Sequence, residues 1–186
     1  MSVDGVTDVL SVQLRSAKPQ DALCLSVLAM QVFLDTYATQ GIRPEIARGV
    51  LSAYSEAAFA EAIASPSARL CIAERADHVI GFSHLTLDVS HALAPIGQQA
   101  ELLRLYVQER FTGKHVGSQL LAEAECFAAE FGVSVLWLTP WVHNLRARTF
   151  YERRGYEDYG LTSFVFEGES HENRVYAKRL QAKTAA

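Results

Sequence analysis

The sequence predicts an α/β fold in which one mixed sheet of about seven strands, flanked by helices, forms a single domain over residues 1–186. Three observations carry this expectation. A chain of 186 residues suits one core, because two would leave each half undersized. It is 49% hydrophobic and 20% charged, a globular balance that excludes the disordered and fibrous classes. Short β-prone runs alternate with segments whose apolar residues recur every three or four positions, and no internal repeat or low-complexity tract interrupts them.

Taken in order, Val9 to Leu14 alternates apolar with polar side chains and predicts a first strand. Ser16 to Asp21, with Pro19, suits a helix start, and the spacing of Leu23, Val27, Met30 and Leu34 predicts the buried stripe of the helix that follows. Pro44 sits near the start of a second helical stretch, and Phe59 to Ala64 reads as a third, stopped by Ser65-Pro66-Ser67. Arg69 to Glu74 and Val79 to Asp88, joined by Arg75-Ala76-Asp77, have the spacing of a hairpin.

Ser90 to Gln98 reads as a loop and Glu101 to Val107 as a strand. From Val116 to Phe131, the residues Val116, Leu120, Ala124, Phe127, Ala128 and Phe131 mark one helical face, with Gly132 at the C-terminal cap. Val135 to Leu138 follows as a short buried strand and Asn144 to Arg153 as a helix ended near Gly155. Tyr159 to Phe166 and Arg174 to Arg179 close the sheet, and Gln181 to Ala186 reads as a frayed tail.

The formal net charge of −4 comes without a block of like charges, so the sequence carries no footprint for a nucleic-acid backbone. Cys24, Cys71 and Cys126 are widely spaced, which predicts reduced thiols rather than a disulfide framework or a zinc site. No metal is expected: the histidines at 78, 84, 91, 115, 143 and 171 show no ligand spacing, and all but His115 suit exposed or structural roles. With no basic leader before an apolar run and no span of about 20 apolar residues, the expected compartment is the cytoplasm, with no membrane partner.

The chemistry concentrates where strand Glu101–Val107 meets the helix from Val116 through a loop carrying Gly113 and Gly117. The first backbone N–H groups of a helix lack partners and carry partial positive charge, so such a loop lets a pyrophosphate dock on them. A Walker A loop is excluded because Gly113-Lys114 is followed by His115, and a dinucleotide fingerprint needs a third glycine. Taken alone, glycines here also meet an ordinary turn requirement.

Two ordered blocks narrow the choice. Leu105-Tyr106-Val107, then Thr112 to Gly117, then Leu120-Leu121 form the first; Asn144 to Tyr151, followed by Arg153-Arg154-Gly155-Tyr156, forms the second. In these blocks, and at Ile80-Gly81-Phe82, the chain resembles the GNAT superfamily of acetyl-CoA-dependent N-acetyltransferases over roughly Leu70 to Leu180. The resemblance implies a mostly antiparallel central sheet and acetyl-CoA as the donor. It implies cofactor contacts at Leu105, Tyr106, Val107, Thr112, Gly113, Lys114, His115, Val116, Gly117, Ser118, Asn144, Tyr151 and Arg153. Two residues depart from the family pattern: Thr112 stands for the usual Arg or Gln, and His115 for the first motif glycine, where a Cβ could crowd the ligand.

Amide formation needs a neutral amine, so a group must take its proton. The resemblance gives that role to Glu101, six residues before Val107; plain strand alternation would set it on the face of Leu103 and Leu105, unless a bulge changes the register. It gives Tyr151 the role of general acid toward the departing thiolate. Both have plainer readings, a solvated strand-edge charge and a packed helix tyrosine.

Three further stretches resemble the bacterial spermidine/spermine N-acetyltransferase subgroup: Phe33 to Tyr37, Leu136-Trp137-Leu138 with Trp141, and the ending from Phe164 to Leu180. They imply a polyamine or other small-molecule amine acceptor, lined by Asp35, Tyr37 and Trp141. Acetylation of a protein or peptide amine, and a non-catalytic acyl-CoA-binding sensor, stay open as alternatives, as does a homodimer.

Overall fold

The computed structural model describes residues 11–181. Its elements are β1 (Gln13–Ser16), α1 (Ala22–Tyr37), α2 (Pro44–Ala53), α3 (Glu56–Ala64), β2 (Ala68–Arg75), β3 (His78–Leu87), β4 (Gln99–Val107), α4 (Val116–Glu130), β5 (Val135–Leu138), α5 (Leu145–Glu152), β6 (Glu157–Phe166) and β7 (Glu169–Arg179). They form one seven-stranded sheet in the order β1-β2-β3-β4-β5-β7-β6. Every pairing is antiparallel except that of β4 with β5. Among the described residues no helix is long and apolar enough to cross a membrane.

Each face of the sheet carries its own core. On one, α1, α2 and α3 bury Leu25, Leu28, Ala29, Phe33, Val50 and Phe59 against Leu70, Ile72 and Phe82. On the other, α4 and α5 lay Leu121, Ala124 and Tyr151 on Leu85, Leu102 and Leu136. Ser55 caps α3, its hydroxyl accepting from the Ala58 N–H at 3.2 Å. Asp21, just before α1, accepts from the Lys18 N–H at 2.7 Å and from both Arg15 amino groups at 2.7 and 3.0 Å, which fixes how β1 enters the helix.

Several sequence expectations change here. The expected stripe on α1 is rotated: Leu23 and Val27 are exposed, and Leu25, Leu28, Ala29 and Phe33 face the core. Both sets satisfy helical spacing on a helix that is apolar nearly all round, and packing on the sheet selects one. The expected first strand lies partly outside the described residues, and β1 runs on through Arg15 and Ser16, which pair with Ile72 and Cys71. Likewise β7 begins at Glu169, earlier than Arg174, because its polar first half pairs with β6. Residues 182–186 of the expected tail lie outside the described residues.

Two departures from regularity shape the middle of the sheet. First, β4 is bulged: His84 pairs with Arg104 and Leu85 with Leu102, leaving Leu103 as the extra residue. Second, β4 and β5 pair only from Gln99–Val135 to Glu101–Trp137. Beyond Glu101, β4 therefore has no strand neighbour on that side, and a gap opens.

Candidate active site

Two cavities meet at this gap. The first, of about 340 Å³, is bounded by Leu105, Tyr106 and Val107 of β4, the loop from Thr112 to Ser118, and Asn144, Phe150 and Tyr151 around α5. The second, of about 560 Å³, lies on the α1 side of the sheet and is bounded by Glu101, Leu103, Arg104, Trp141, Tyr54 and the tip of the β6–β7 hairpin. Tyr37 and Tyr106 line both.

The loop of the first cavity is built for backbone donors. Gly113 has φ 73° and His115, the N-cap of α4, has φ 65° and ψ 1°. Left-handed residues close before a helix start turn successive N–H groups toward one side. His115 therefore takes a conformation that favours glycine, which is how the chain accommodates its departure from the glycine pattern. The Thr112 hydroxyl donates to the Glu109 carbonyl at 2.8 Å, so this side chain braces the loop.

Positive charge comes from Arg146 and Arg154, and among the described residues no carboxylate lines this cavity. Arg154 lies 3.6 Å from the Phe150 ring centroid, donates to the Phe150 carbonyl at 2.9 Å and also donates to the Ser118 hydroxyl. Arg146 is tied to Glu109 by two 2.8 Å contacts. Asn144 caps α5, its Oδ1 accepting from the Ala147 N–H at 3.1 Å, which leaves its NH₂ to the cavity. The free edge of β4, the amide-rich loop and the two guanidinium groups fit an elongated ligand that carries an amide chain and phosphates.

Tyr151 is 8% exposed and packs edge-on against Phe150 and Tyr156. Burial first, then the nearby Tyr37 phenol, push its ionisation well above the usual tyrosine range, with Arg154 opposing. It is therefore a neutral O–H donor at physiological pH. Tyr37 is pushed up to about 12, mainly by burial, and its ring packs at a tilt against Trp141, 5.5 Å between centroids.

The bulge decides where Glu101 points. Ala100 and Leu102 pack toward α4, and so does Leu105, because the extra residue reverses the alternation. Glu101 thus shares the second cavity with Leu103, Arg104 and Tyr106, so the bulge alternative applies and plain alternation, which would also put Leu105 on this face, does not. Burial raises its carboxyl above the ordinary range, and Arg104 acts against that rise. Tyr106 and Tyr54 join their hydroxyls at 3.2 Å behind it. Around the cavity four carboxylates, those of Glu45, Glu101, Glu167 and Glu169, face the guanidinium groups of Arg43 and Arg104. One of these pairs is closed, Arg43 with Glu169 at 2.8 Å.

Of the residues expected at the cofactor, Leu105, Tyr106, Val107, Thr112, Gly113, His115, Gly117, Ser118, Asn144 and Tyr151 gather in the first cavity. Three do not line it. Val116 is 1% exposed in the core, Lys114 is exposed with its ammonium 5.5 Å from the Phe111 ring, and Arg153 is exposed at the end of α5. The helix phase gives the place expected for Arg153 to Arg154, four residues after the Phe150 it stacks on. Of the residues expected at an acceptor, Tyr37 and Trp141 line the second cavity. Asp35 is exposed in a separate groove beside Asn144 and Arg146. Arg104 and Tyr54 also line the second cavity and were not singled out in the sequence; the Arg three places after Glu101 was the available signal.

In sequence and in fold the chain is similar to known N-acetyltransferases. The acetyltransferase (GNAT) family model matches residues 37–156. An uncharacterized N-acetyltransferase of Lactobacillus delbrueckii subsp. lactis is 26% identical over 153 residues, covering 82% of this chain and 88% of that protein. The spermidine N(1)-acetyltransferase of Thermoplasma acidophilum is 27% identical over 164 residues, covering 85% and 97%. Among solved structures, the PaiA N-acetyltransferase from Thermoplasma acidophilum in complex with coenzyme A superposes with a TM-score of 0.74 at 23% identity, covering 91% of this chain and 99% of that one.

Proposed function

The chain belongs to the acetyltransferase (GNAT) family and is an acetyl-CoA-dependent N-acetyltransferase, and on this premise we propose that its acceptor is a polyamine, with Glu101 as general base and Tyr151 as general acid. The observation that carries the reading is the junction of two oppositely charged cavities at Tyr37 and Tyr106. A cavity lined by the guanidinium groups of Arg154 and of the Glu109-paired Arg146 suits a polyphosphate, and one lined by more carboxylates than guanidinium groups suits an ammonium group. The name of the relative from Thermoplasma acidophilum supports the same acceptor class.

Bound acetyl-CoA would supply an activated acetyl carbonyl and a thiolate leaving group. The amides of the Gly113–Ser118 loop with Arg154 and Arg146 would hold its phosphates, and the free edge of β4 with Asn144 its amide arm. Glu101, half-buried and raised in pKa, takes the proton from the incoming ammonium directly or through a water, since only the neutral amine has a lone pair to attack. Tyr151 Oη, held neutral by burial, would donate its proton to the sulfur as the C–S bond breaks, and the second proton lost by nitrogen as the C–N bond forms would restore the phenol. Tyr37, Tyr106 and Trp141 wall the junction and keep bulk water out. Glu45 and Glu167, toward the mouth, face the further charges that a polyamine carries.

Free-thiol release from acetyl-CoA, measured with spermidine, spermine, lysine peptides and aminoglycosides beside a no-acceptor control, tests the acceptor. The reading expects kcat/KM for the polyamines at least tenfold above that for the other amines. Equal or faster turnover of lysine peptides would assign the cavity to protein amines instead.

A further inference from the structure

We infer that Arg104 is a positioning residue for the proton transfer: a fixed positive charge, held off the Glu101 carboxylate by His84, that keeps this carboxylate ionised and its lone pairs free. The inference rests on the reading of Glu101 as the base.

The geometry begins with the bulge. Without the extra residue at Leu103, residues 101 and 104 would point to opposite faces; with it, both side chains enter the acceptor cavity. An arginine that shares a cavity with a carboxylate can close on it as a bidentate pair. Arg104 does not: among the described residues it makes no ion pair within 4.0 Å. Its Nη1 instead donates to His84 Nδ1 at 3.0 Å, and its guanidinium carbon lies 5.1 Å from the Tyr54 ring centroid and 5.8 Å from that of Phe59.

His84 is suited to be that anchor. It is 5% exposed on β3, and burial together with the Arg104 charge pushes its pKa down to about 4. The imidazole is therefore neutral, with Nδ1 an acceptor and the proton on Nε2. The guanidinium is thus tethered to a neutral partner and two aromatic faces, and its charge reaches Glu101 through space.

The arrangement answers a conflict at the base. Burial favours the protonated, inactive form of the Glu101 carboxyl, whereas a direct salt bridge would favour the ionised form but occupy its oxygens and weaken it as a base. A charge at one remove keeps the carboxylate ionised and available. The other ionisable groups around this cavity are Tyr37 from α1, Arg43 and Glu45 at the start of α2, Tyr54 at its end, Tyr106 on β4, Glu167 and Glu169 on the β6–β7 hairpin, and His171 on β7. Arg43, Glu167 and Glu169 are exposed, and the first and last of these neutralise each other.

The test is a carboxyl ¹³C NMR titration of Glu101, assigned by loss of its signal in Glu101→Gln, alongside the pH profile of kcat. Arg104→Gln should raise the Glu101 midpoint by about one pH unit, a tenfold tighter hold on the proton. It should move the acid limb of kcat upward to match, with rates converging above the limb, and Arg104→Lys should restore most of both. His84→Leu, which frees the guanidinium to close on the carboxylate, should move the midpoint down. Midpoints unmoved in Arg104→Gln and His84→Leu, or a rate loss in Arg104→Gln that is equal at every pH, overturn the inference. A full rate in Glu101→Gln overturns instead the base assignment beneath it.

Discussion

Phe166, at the tip of the β6–β7 hairpin, packs directly onto the backbone of Gly49 in α2: a Cβ at 49 would run into the Phe166 ring and come 2.6 Å from Cγ of Glu167. Phe166 also packs at a tilt against Phe33, 5.1 Å between ring centroids. These contacts hold the hairpin against the second cavity, the proposed acceptor site, whose lining includes Glu167.

Gly49→Val should therefore displace the hairpin. The expected result is a several-fold rise in KM for the amine, KM for acetyl-CoA unchanged within about twofold, and a stability loss of about 1–3 kcal/mol, as for other overpacked sites. Steady-state kinetics with each substrate varied in turn, and thermal unfolding, measure these effects.

Tyr151→Phe removes one oxygen from a buried ring and leaves its packing against Phe150 and Tyr156 intact. A general acid contributes about 10²–10⁴-fold, so kcat should fall by about 10²-fold or more with both KM values within about threefold. Because the phenol's pKa is raised, the wild-type rate should show no loss from this group up to pH 10. A variant at full rate removes the acid role.

Glu101 governs the acid side. Its folded pKa is raised, so the ionised base is lost as pH falls through that raised value, and the acid limb of kcat should lie above the usual glutamate range of about 4.3. Stability runs the other way. A carboxyl whose folded pKa exceeds its unfolded one contributes fully below the unfolded value, and that contribution is lost as pH rises through the folded value. Glu101→Gln should consequently melt higher than wild type at pH 7, and the gap should close below about pH 4 while the variant stays slow at every pH.

How much of this was legible in the sequence depended on whether local pattern or tertiary contact decides. Strand β5 agrees with its expected bounds, because Val135 to Leu138 is a buried apolar run between a capping glycine and a proline. The glycine loop and Asn144–Tyr151 likewise gather where their motifs implied. The stripe of α1 was not legible, since an all-apolar helix offers several faces of equal period. Nor was the bulge at Leu103, because Glu101-Leu102-Leu103-Arg104-Leu105 alternates too weakly to reveal a slipped register. That one residue decides the face of Glu101 and the company of Arg104, so the acceptor site could not be drawn before the strand pairing was known.

His115 gives a further test. A non-glycine residue in the left-handed region costs about 1–2 kcal/mol, and glycine gives back about 0.5–1 kcal/mol of that as chain entropy. His115→Gly should raise Tm by about 2–4 °C and lower KM for acetyl-CoA or leave it unchanged. A loss of acetyl-CoA affinity would mean that the imidazole itself contacts the ligand.

The most direct test of the central claim is a bisubstrate conjugate, coenzyme A joined through an acetyl bridge to a terminal nitrogen of spermidine, measured by titration calorimetry and crystallography. With the two cavities joined at Tyr37 and Tyr106, the conjugate should bind at least 10²-fold tighter than coenzyme A. Its sulfur should lie near Tyr151 and its polyamine arm beside Glu101. Affinity no better than that of coenzyme A, with the arm left in solvent, would contradict the account.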